Sequence, residues 1–326
     1  MLFDTFIAQA NQWGALRQPF FFLIDFEKKK PIICKLNEAQ KCGVFFQIFS
    51  LSNVDEETDL VSPPFSLHKF PLSEEDYRRG FDLVQQELQK GNSYLLNLTY
   101  ATEIQTNYTL SQIFQHSQAK YKLLYGNEFV CFSPESFVQI QDNCIFTYPM
   151  KGTIDAMLPD AELRLCNSQK EQWEHYTIVD LMRNDLAMVA ENIEVKRFRY
   201  VERIETENGA ILQTSSEICG KLAENWQDHV GSILARLLPA GSISGAPKEK
   251  TVEIIQQAET GERGYYTGIF GVFLGDSLQS AVAIRFIEQQ QGRLFFRSGG
   301  GITMQSQAQD EYAELIQKVY VPLAKK

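Results

Sequence analysis

The chain has 326 residues with a formal net charge of -10, and it is 44% hydrophobic, 12% aromatic and 22% charged. That length suits one large domain or two ordinary ones with a sizeable buried core, and the acidic balance argues against a generic nucleic-acid surface, which needs clustered Lys and Arg. The longest apolar run near the start, Phe20-Phe21-Phe22-Leu23-Ile24, is too short to span a bilayer, and Met1-Leu2-Phe3-Asp4 does not read as the start of a signal peptide. Six scattered cysteines (Cys34, Cys42, Cys131, Cys144, Cys166, Cys219) form no CxxC pair. They predict reduced thiols in a cytoplasmic protein and no zinc site.

Taken in order, Phe20–Phe26, Ile32–Leu36 and Val44–Ser50 are rich in aromatic and β-branched residues and read as strands. The acidic stretch from Asn53 to Pro64 ends in Pro63-Pro64 and reads as a loop and a boundary. Ser73 then caps a helix whose first turn, Glu74-Glu75-Asp76, suits the positive end of the dipole. Tyr77, Phe81, Val84 and Leu88 give that helix its period, and Gly91 closes it. Tyr94–Thr99 reads as a strand and Thr109–Gln118 as a short helix. Glu128–Phe132, Phe137–Ile140 and Cys144–Tyr148 read as strands, with Ser133-Pro134-Glu135 in a turn between the first two. A helix over Ser168–Ala190 precedes strands at Ile193–Glu205 and Ile211–Leu222. Asp228–Leu238 and Lys248–Glu259 read as helices with a loop between them. Gly268–Leu274, Ser280–Ile287 and Leu294–Arg297 read as strands, Gly299-Gly300-Gly301 as a glycine loop, and Ala308–Val319 as a closing helix. Runs of strands with helices between the runs predict an α+β protein with antiparallel sheets. Residues 1–65 are expected to form a short β-rich segment packed on a core made by residues 66–326, the whole being one unit.

Several constellations could carry chemistry. Lys151 stands between Pro149 and Gly152, straight after an apolar run. Proline restricts the residue before it and glycine lets the backbone turn or approach a ligand. Lys151 is therefore expected at a strand end on a constrained backbone, either as a turn lysine or as an amine whose pKa burial lowers for use as nucleophile or base. Glu171 and Glu174 lie three apart on one predicted helix, Glu311 and Glu314 on another, and that spacing puts each pair on one face. The faces are either solvated or, if they converge, a site for a hard cation such as Mg²⁺. Gly241–Lys248 resembles a phosphate loop, but its spacing is not that of a Walker motif. It offers either turn chemistry or backbone N–H groups to an anion, as does Gly299-Gly300-Gly301. Arg285 lies in the apolar run Ala281–Ile287, where a guanidinium needs an ion pair or an anionic ligand. The charged residues of Asp180–Asp185 read as a buried polar network. His68, His116 and His175 add nothing singly.

Together these stretches resemble the chorismate-utilising enzymes. The resemblance is carried in order by Ser133-Pro-Glu-Ser136, Pro149-Met-Lys-Gly-Thr153, Glu171–Asp185, Pro239–Lys248, Arg263-Gly-Tyr-Tyr-Thr-Gly268, Ala283-Ile-Arg285, and Gly299-Gly-Gly-Ile302 through Glu311 and Glu314. It implies large antiparallel sheets packed as a sandwich with helices outside. Within the family a lysine at position 151 is similar to aminodeoxychorismate synthase component I, whereas anthranilate synthases usually carry alanine there. Leu95 stands where isochorismate and salicylate synthases have their own lysine, which argues against those activities. The resemblance implies that Lys151 attacks C2 of chorismate and that Glu135 protonates the leaving hydroxyl. It implies further that Gly152, Thr153 and Gly301 contact the ring carboxylate, and that Tyr266, Arg285 and Gly299 contact the enolpyruvyl carboxylate. Glu171, Glu174, Glu311 and Glu314 would hold Mg²⁺. It also implies a glutamine amidotransferase partner supplying ammonia, since no cysteine here sits in a glycine-rich nucleophile turn. Two departures stand out. Gln213 replaces a histidine that many relatives have, and residues 1–65 are a short version of a longer N-terminal region, so tryptophan feedback is not expected. An anthranilate-type synthase and a non-catalytic chorismate-binding protein remain the alternatives.

Overall fold

The computed structural model describes residues 1–54, 63–206 and 209–323. Its elements in chain order are α1 (Phe3–Ala15), β1 (Phe20–Ile24), β2 (Ile32–Lys35), β3 (Val44–Ile48), β4 (Leu51–Ser52), β5 (Leu67–Phe70), α2 (Glu74–Gln89), β6 (Leu95–Thr106), α3 (Leu110–His116) and β7 (Tyr121–Tyr125). There follow β8 (Phe129–Ser133), β9 (Ser136–Gln141), β10 (Cys144–Thr147), β11 (Met150–Asp155), α4 (Ala161–Asn167), α5 (Gln169–Ala187), β12 (Glu191–Thr206) and β13 (Gly209–Lys221). The chain ends with α6 (Val230–Leu237), α7 (Gly241–Ser244), β14 (Gly245–Ala246), α8 (Lys248–Ala258), β15 (Ile269–Phe273), β16 (Leu278–Val282), β17 (Phe286–Gln290), β18 (Arg293–Ile302) and α9 (Ala308–Gln317).

The strands form two antiparallel sheets. The first runs β11-β13-β10-β9-β16-β15-β1-β2, with β12 also on β13. The second runs β14-β6-β18-β17-β8-β7-β3-β4, with β5 also on β6. β1 shows why its sequence is an unbroken apolar run. Phe21 and Leu23 face the second sheet, meeting Phe46, Leu123 and Phe129, while Phe20, Phe22 and Ile24 face the helices. A strand buried on both sides cannot alternate with polar residues. The expected sandwich with helices outside is therefore the observed architecture, and residues 20–48 are woven into it, with β1 and β2 in one sheet and β3 in the other.

Helix α2 forms as the sequence predicts: Ser73 Oγ accepts from the Asp76 N–H, and Tyr77, Phe81, Val84 and Leu88 are its buried face. Other readings need correction. α1 and β7 were not foreseen: α1 has no side-chain cap at its start, so it lacks the usual sequence signal. The apolar run Ser280–Ile287 is two strands in different sheets, β16 and β17. Gly299-Gly300-Gly301 is not a loop. It lies within β18, paired with Thr99, Leu98 and Asn97 of β6. Of the polar residues in the Asp180–Asp185 stretch only Asp185 is buried, and Asp180, Arg183 and Asn184 are exposed. The expected boundary loop over 53–64 lies mostly outside the described residues.

One buried ion pair ties the helical layer to the sheet beneath. Arg263, 1% exposed, meets Glu259, whose side chain is 5% exposed, at 2.6 Å. The guanidinium also donates to the Ile243 and Asn97 carbonyls at 2.9 and 2.6 Å. Glu259 accepts from Thr99 N–H and Oγ–H at 2.8 and 2.9 Å. Removing one partner of such a pair leaves a buried, uncompensated charge. Arg263→Ala should therefore lower unfolding free energy by about 3–5 kcal/mol in urea titration, and a loss below about 1 kcal/mol would show that water reaches Glu259.

Candidate active site

Two sheet crossings lie side by side. The chain leaves the second sheet at the end of β8 and joins the first at β9, through Pro134 and Glu135. It makes the opposite crossing from β16 to β17, through Ala283, Ile284 and Arg285. Two backbone bonds tie each crossing to a strand of the other passage: Phe132 N–H donates to the Arg285 carbonyl, and Val282 N–H to the Glu135 carbonyl, both at 3.1 Å. Arg285 is thus not inside a continuous strand as expected. It has φ +53°, a left-handed conformation unusual for a side chain other than glycine, at the point where the chain changes sheets.

Glu135 accepts a short hydrogen bond from Ser242 Oγ, and burial holds its carboxyl above the usual range despite that bond and the positive charges of Arg285 and Lys318. A cavity of about 20 Å³, room for one water-sized molecule, lies against it between Thr147, Tyr148, Asp185 and Ser242. No carboxylate among the described residues pairs with Arg285, and its buried Nε has no hydrogen-bond partner. The Oδ1 of Asn97, which stands opposite Gly301 on β6, is likewise buried and unpartnered. Orphaned donors and acceptors of this kind mark a place that a polar ligand completes.

Lys151 sits in β11, in a bulge. Met150 pairs with Ser215 and Thr153 with Gln213, so Lys151 and Gly152 together face Thr214. Gly152 has φ +95°, and a Cβ built there would stand 2.9 Å from Glu171 Oε2 and from Thr214 Oγ1. Only glycine fits such a position. The Lys151 ammonium reaches Glu174 Oε2 at 3.0 Å. Burial alone would lower its pKa. The charges of Glu174, Glu314 and Glu171 outweigh that and hold it above the ordinary lysine value. The sequence-based expectation of a lowered pKa is thus reversed in the ligand-free chain: the carboxylates keep the amine protonated.

Both glutamate pairs bear on this lysine. Glu171 and Glu174 come from α5. Glu311 and Glu314 come from α9, across Gly300, where a Cβ would stand 3.1 Å from Glu311 Oε2 and 3.6 Å from Glu314 Oε1. Burial and neighbouring carboxylates raise Glu171, and the same two causes raise Glu311 against a lowering bond from Ser306. Glu314 is half exposed, and the Lys318 ammonium at 2.6 Å brings it below the usual range despite the partial desolvation. Lys318 also donates to the Gly299 carbonyl at 2.8 Å. Four carboxylates outnumber the ammonium groups of Lys151, Lys318 and Lys170, the last 4.0 Å from Glu174, and leave an excess of negative charge. All-oxygen donors with that excess suit a hard divalent cation, although among the described residues no three such groups are gathered into a ready-made cage.

The remaining expected residues are placed as follows. Tyr266 is buried with its ring against Phe286, and burial pushes its phenol up to about 12. Thr153 is exposed on β11 opposite Gln213. The phosphate-loop-like stretch is α7 with the turn at Gly245, and its lysine is engaged: Lys248 pairs with Asp185 at 2.9 Å and donates to the Leu237 carbonyl. His175, dismissed from sequence, is fully buried, with Nδ1 3.2 Å from the Lys151 carbonyl and Nε2 2.7 Å from Ser216 Oγ. Burial lowers its pKa. Its position one residue after Glu174, on the helix face toward the sheet, was the available signal.

The fold of two antiparallel sheets matches that of solved isochorismate and anthranilate synthases. A family model described as chorismate binding enzyme matches residues 19–324, and the chain belongs to that family. It is 68% identical over 323 residues to an uncharacterized PabA-like protein of Pasteurella multocida, covering 99% of this chain and 100% of that one. It is 33% identical over 265 residues to aminodeoxychorismate synthase component 1 of Escherichia coli strain K12, covering 76% of this chain and 57% of that protein's length. In fold it matches the menaquinone-specific isochorismate synthase of Escherichia coli with a TM-score of 0.72 at 15% identity, covering 97% of this chain and 80% of that one. No helix among the described residues is long and apolar enough to cross a membrane.

The raised carboxyl of Glu135 has a consequence for stability. Below the ordinary carboxyl pKa both folded and unfolded chains carry it protonated. As pH rises through that value the unfolded chain ionises first, so the folded state loses ground until its own raised value is passed. Glu135→Gln cannot ionise and escapes this loss. In denaturation curves from about pH 4 upward, the variant should gain on the wild type and then level off. A constant difference across the range would show that Glu135 titrates normally.

Proposed function

We propose that the protein is an aminodeoxychorismate synthase component I, which replaces the 4-hydroxyl of chorismate by an amino group. The observation that carries this reading is Lys151, held in the β11 bulge with its ammonium among the Glu171, Glu174 and Glu314 carboxylates. The likeness to the Escherichia coli component supports it. Lys151 Nζ, once neutral, forms a bond to C2 while both ring double bonds shift, C1=C2 to C1=C6 and C5=C6 to C4=C5, and the C4–O bond breaks. The hydroxyl leaves as water with a proton from Glu135, whose carboxyl pKa burial raises. Ammonia then adds at C4, both double bonds shift back, and the C2–N bond breaks to release Lys151. Glu174, hydrogen-bonded to the ammonium, is the group in reach to share the proton that the amine must shed.

Arg285, with its unpartnered Nε, would supply a guanidinium for the enolpyruvyl carboxylate, and Tyr266 and Gly299 would share in that contact. Gly152, Thr153 and Gly301 offer backbone and hydroxyl contacts to the ring carboxylate. Glu171, Glu174, Glu311 and Glu314 would hold Mg²⁺, which when bound supplies positive charge that anchors and polarises that carboxylate. A glutamine amidotransferase subunit would deliver ammonia, in the cytoplasm, where the six unpaired thiols persist. The product leads to 4-aminobenzoate and folate.

Purified protein incubated with chorismate, Mg²⁺ and ammonium should yield aminodeoxychorismate. Fluorescent anthranilate with pyruvate would instead identify an anthranilate-type synthase, and tight chorismate binding without turnover would identify a binding protein. Lys151→Ala should lower kcat by roughly a thousandfold or more, with chorismate affinity by calorimetry kept within about threefold. Turnover unchanged in that variant would remove the covalent step.

A further inference from the structure

We infer that His175 is a positioning residue that latches the Lys151 bulge to helix α5, through a hydrogen-bonded chain running from Arg199 N–H by way of Ser216 and the imidazole to the Lys151 carbonyl. This rests on the reading of Lys151 as nucleophile. The bulge removes the Lys151 carbonyl from the regular β11–β13 ladder, since two residues on β11 oppose one on β13. A buried carbonyl without a ladder partner needs donors from elsewhere. It has two, both side chains: Thr214 O–H and His175 Nδ1. A carbonyl oxygen can only accept, so Nδ1 carries the ring proton. Nε2 is then left to accept from Ser216 O–H at 2.7 Å, and Ser216 Oγ in turn accepts Arg199 N–H at 2.9 Å. The ring is 0% exposed and meets Phe198 edge-on at 5.6 Å, so it has no alternative partner in solvent.

The latch matters because of where its two ends lie. One end is the backbone of Lys151. The other is the helix that carries Glu171 and Glu174, the latter in contact with the Lys151 ammonium. His175 therefore fixes both the lysine's backbone and the carboxylates beside its side chain relative to each other. A displacement of about 1 Å in a reacting group can cost on the order of a hundredfold in rate.

Two substitutions separate the ends of the chain. Asparagine places an amide nitrogen as many bonds from Cα as Nδ1, and so keeps the donor to Lys151. Glutamine places its nitrogen as many bonds out as Nε2, and keeps only the link to Ser216. His175→Gln should lower kcat by about 30- to 100-fold with KM for chorismate within about threefold, and His175→Asn should restore all but a few-fold of it. Hydrogen exchange at the Met150–Thr153 amides should accelerate in His175→Gln and stay near wild type in His175→Asn. Equal kcat losses in both variants, or none in His175→Gln, would overturn the inference. If the wild type makes no aminodeoxychorismate, the proposed function fails first, and the exchange measurement still decides the latch: unchanged protection in His175→Gln would sink it.

Discussion

The candidate site depends on the chain changing sheets twice at the same place. In the passages β8–β9 and β16–β17 the chain moves between the two layers in opposite directions, and backbone hydrogen bonds pair the crossings. A residue in mid-strand points either into a core or away from it. A residue at a crossing belongs to neither sheet face, so a polar side chain can stand there out of water without a hydrophobic partner opposite. Glu135 and Arg285 are the residues at the two crossings. The left-handed backbone of Arg285 is the local strain that this turn imposes, and the surrounding strands hold it in place. The same arrangement desolvates Glu135 and so raises its carboxyl pKa.

The lysine is placed by a different irregularity. β11 would present Lys151 as one more ladder residue if its register with β13 were even. The extra residue, made feasible by Gly152, breaks the register and frees the Lys151 carbonyl from the ladder. Such a break has to be stabilised by other groups, and Thr214 and His175 supply the missing hydrogen bonds. The catalytic geometry proposed here thus rests on three departures from regular structure: two sheet crossings and one bulge. The long regular strands β6 and β18 provide the rigid floor, with glycines admitting the α9 carboxylates close to the backbone.

This explains which parts were legible in the sequence. Periodic elements were: α2 shows its capping serine and its apolar stripe, and the glutamate pairs on α5 and α9 follow from helical spacing alone. Irregularities were not. Ala281–Ile287 is apolar apart from Arg285 itself, so nothing in its hydrophobic pattern announces that the chain leaves one sheet and enters the other there. Three consecutive glycines suggest a loop, yet here they pair in a strand because close approach, not turning, is what they permit. The motif resemblance pointed to the right residues at the crossings without supplying the reason they stand there. His175 was passed over because a lone histidine carries no spacing signal, and its partners come from strands 24 and 41 residues away in sequence.

The charges divide the site into two ends. Around Arg285 and Lys318 the field is positive, enough to oppose the rise in the Glu135 pKa. Around Lys151 it is negative, because four carboxylates from α5 and α9 outnumber the ammonium groups among them and raise the lysine's own pKa. A ligand with a carboxylate at each extremity, as chorismate has, is attracted by the first end and repelled by the second. A divalent cation held there would offset the excess negative charge and with it the repulsion. On the proposed reading, Glu171, Glu174, Glu311 and Glu314 would hold the cation, whose charge would let this end receive the ring carboxylate, while the same side chains hold the Lys151 ammonium in place.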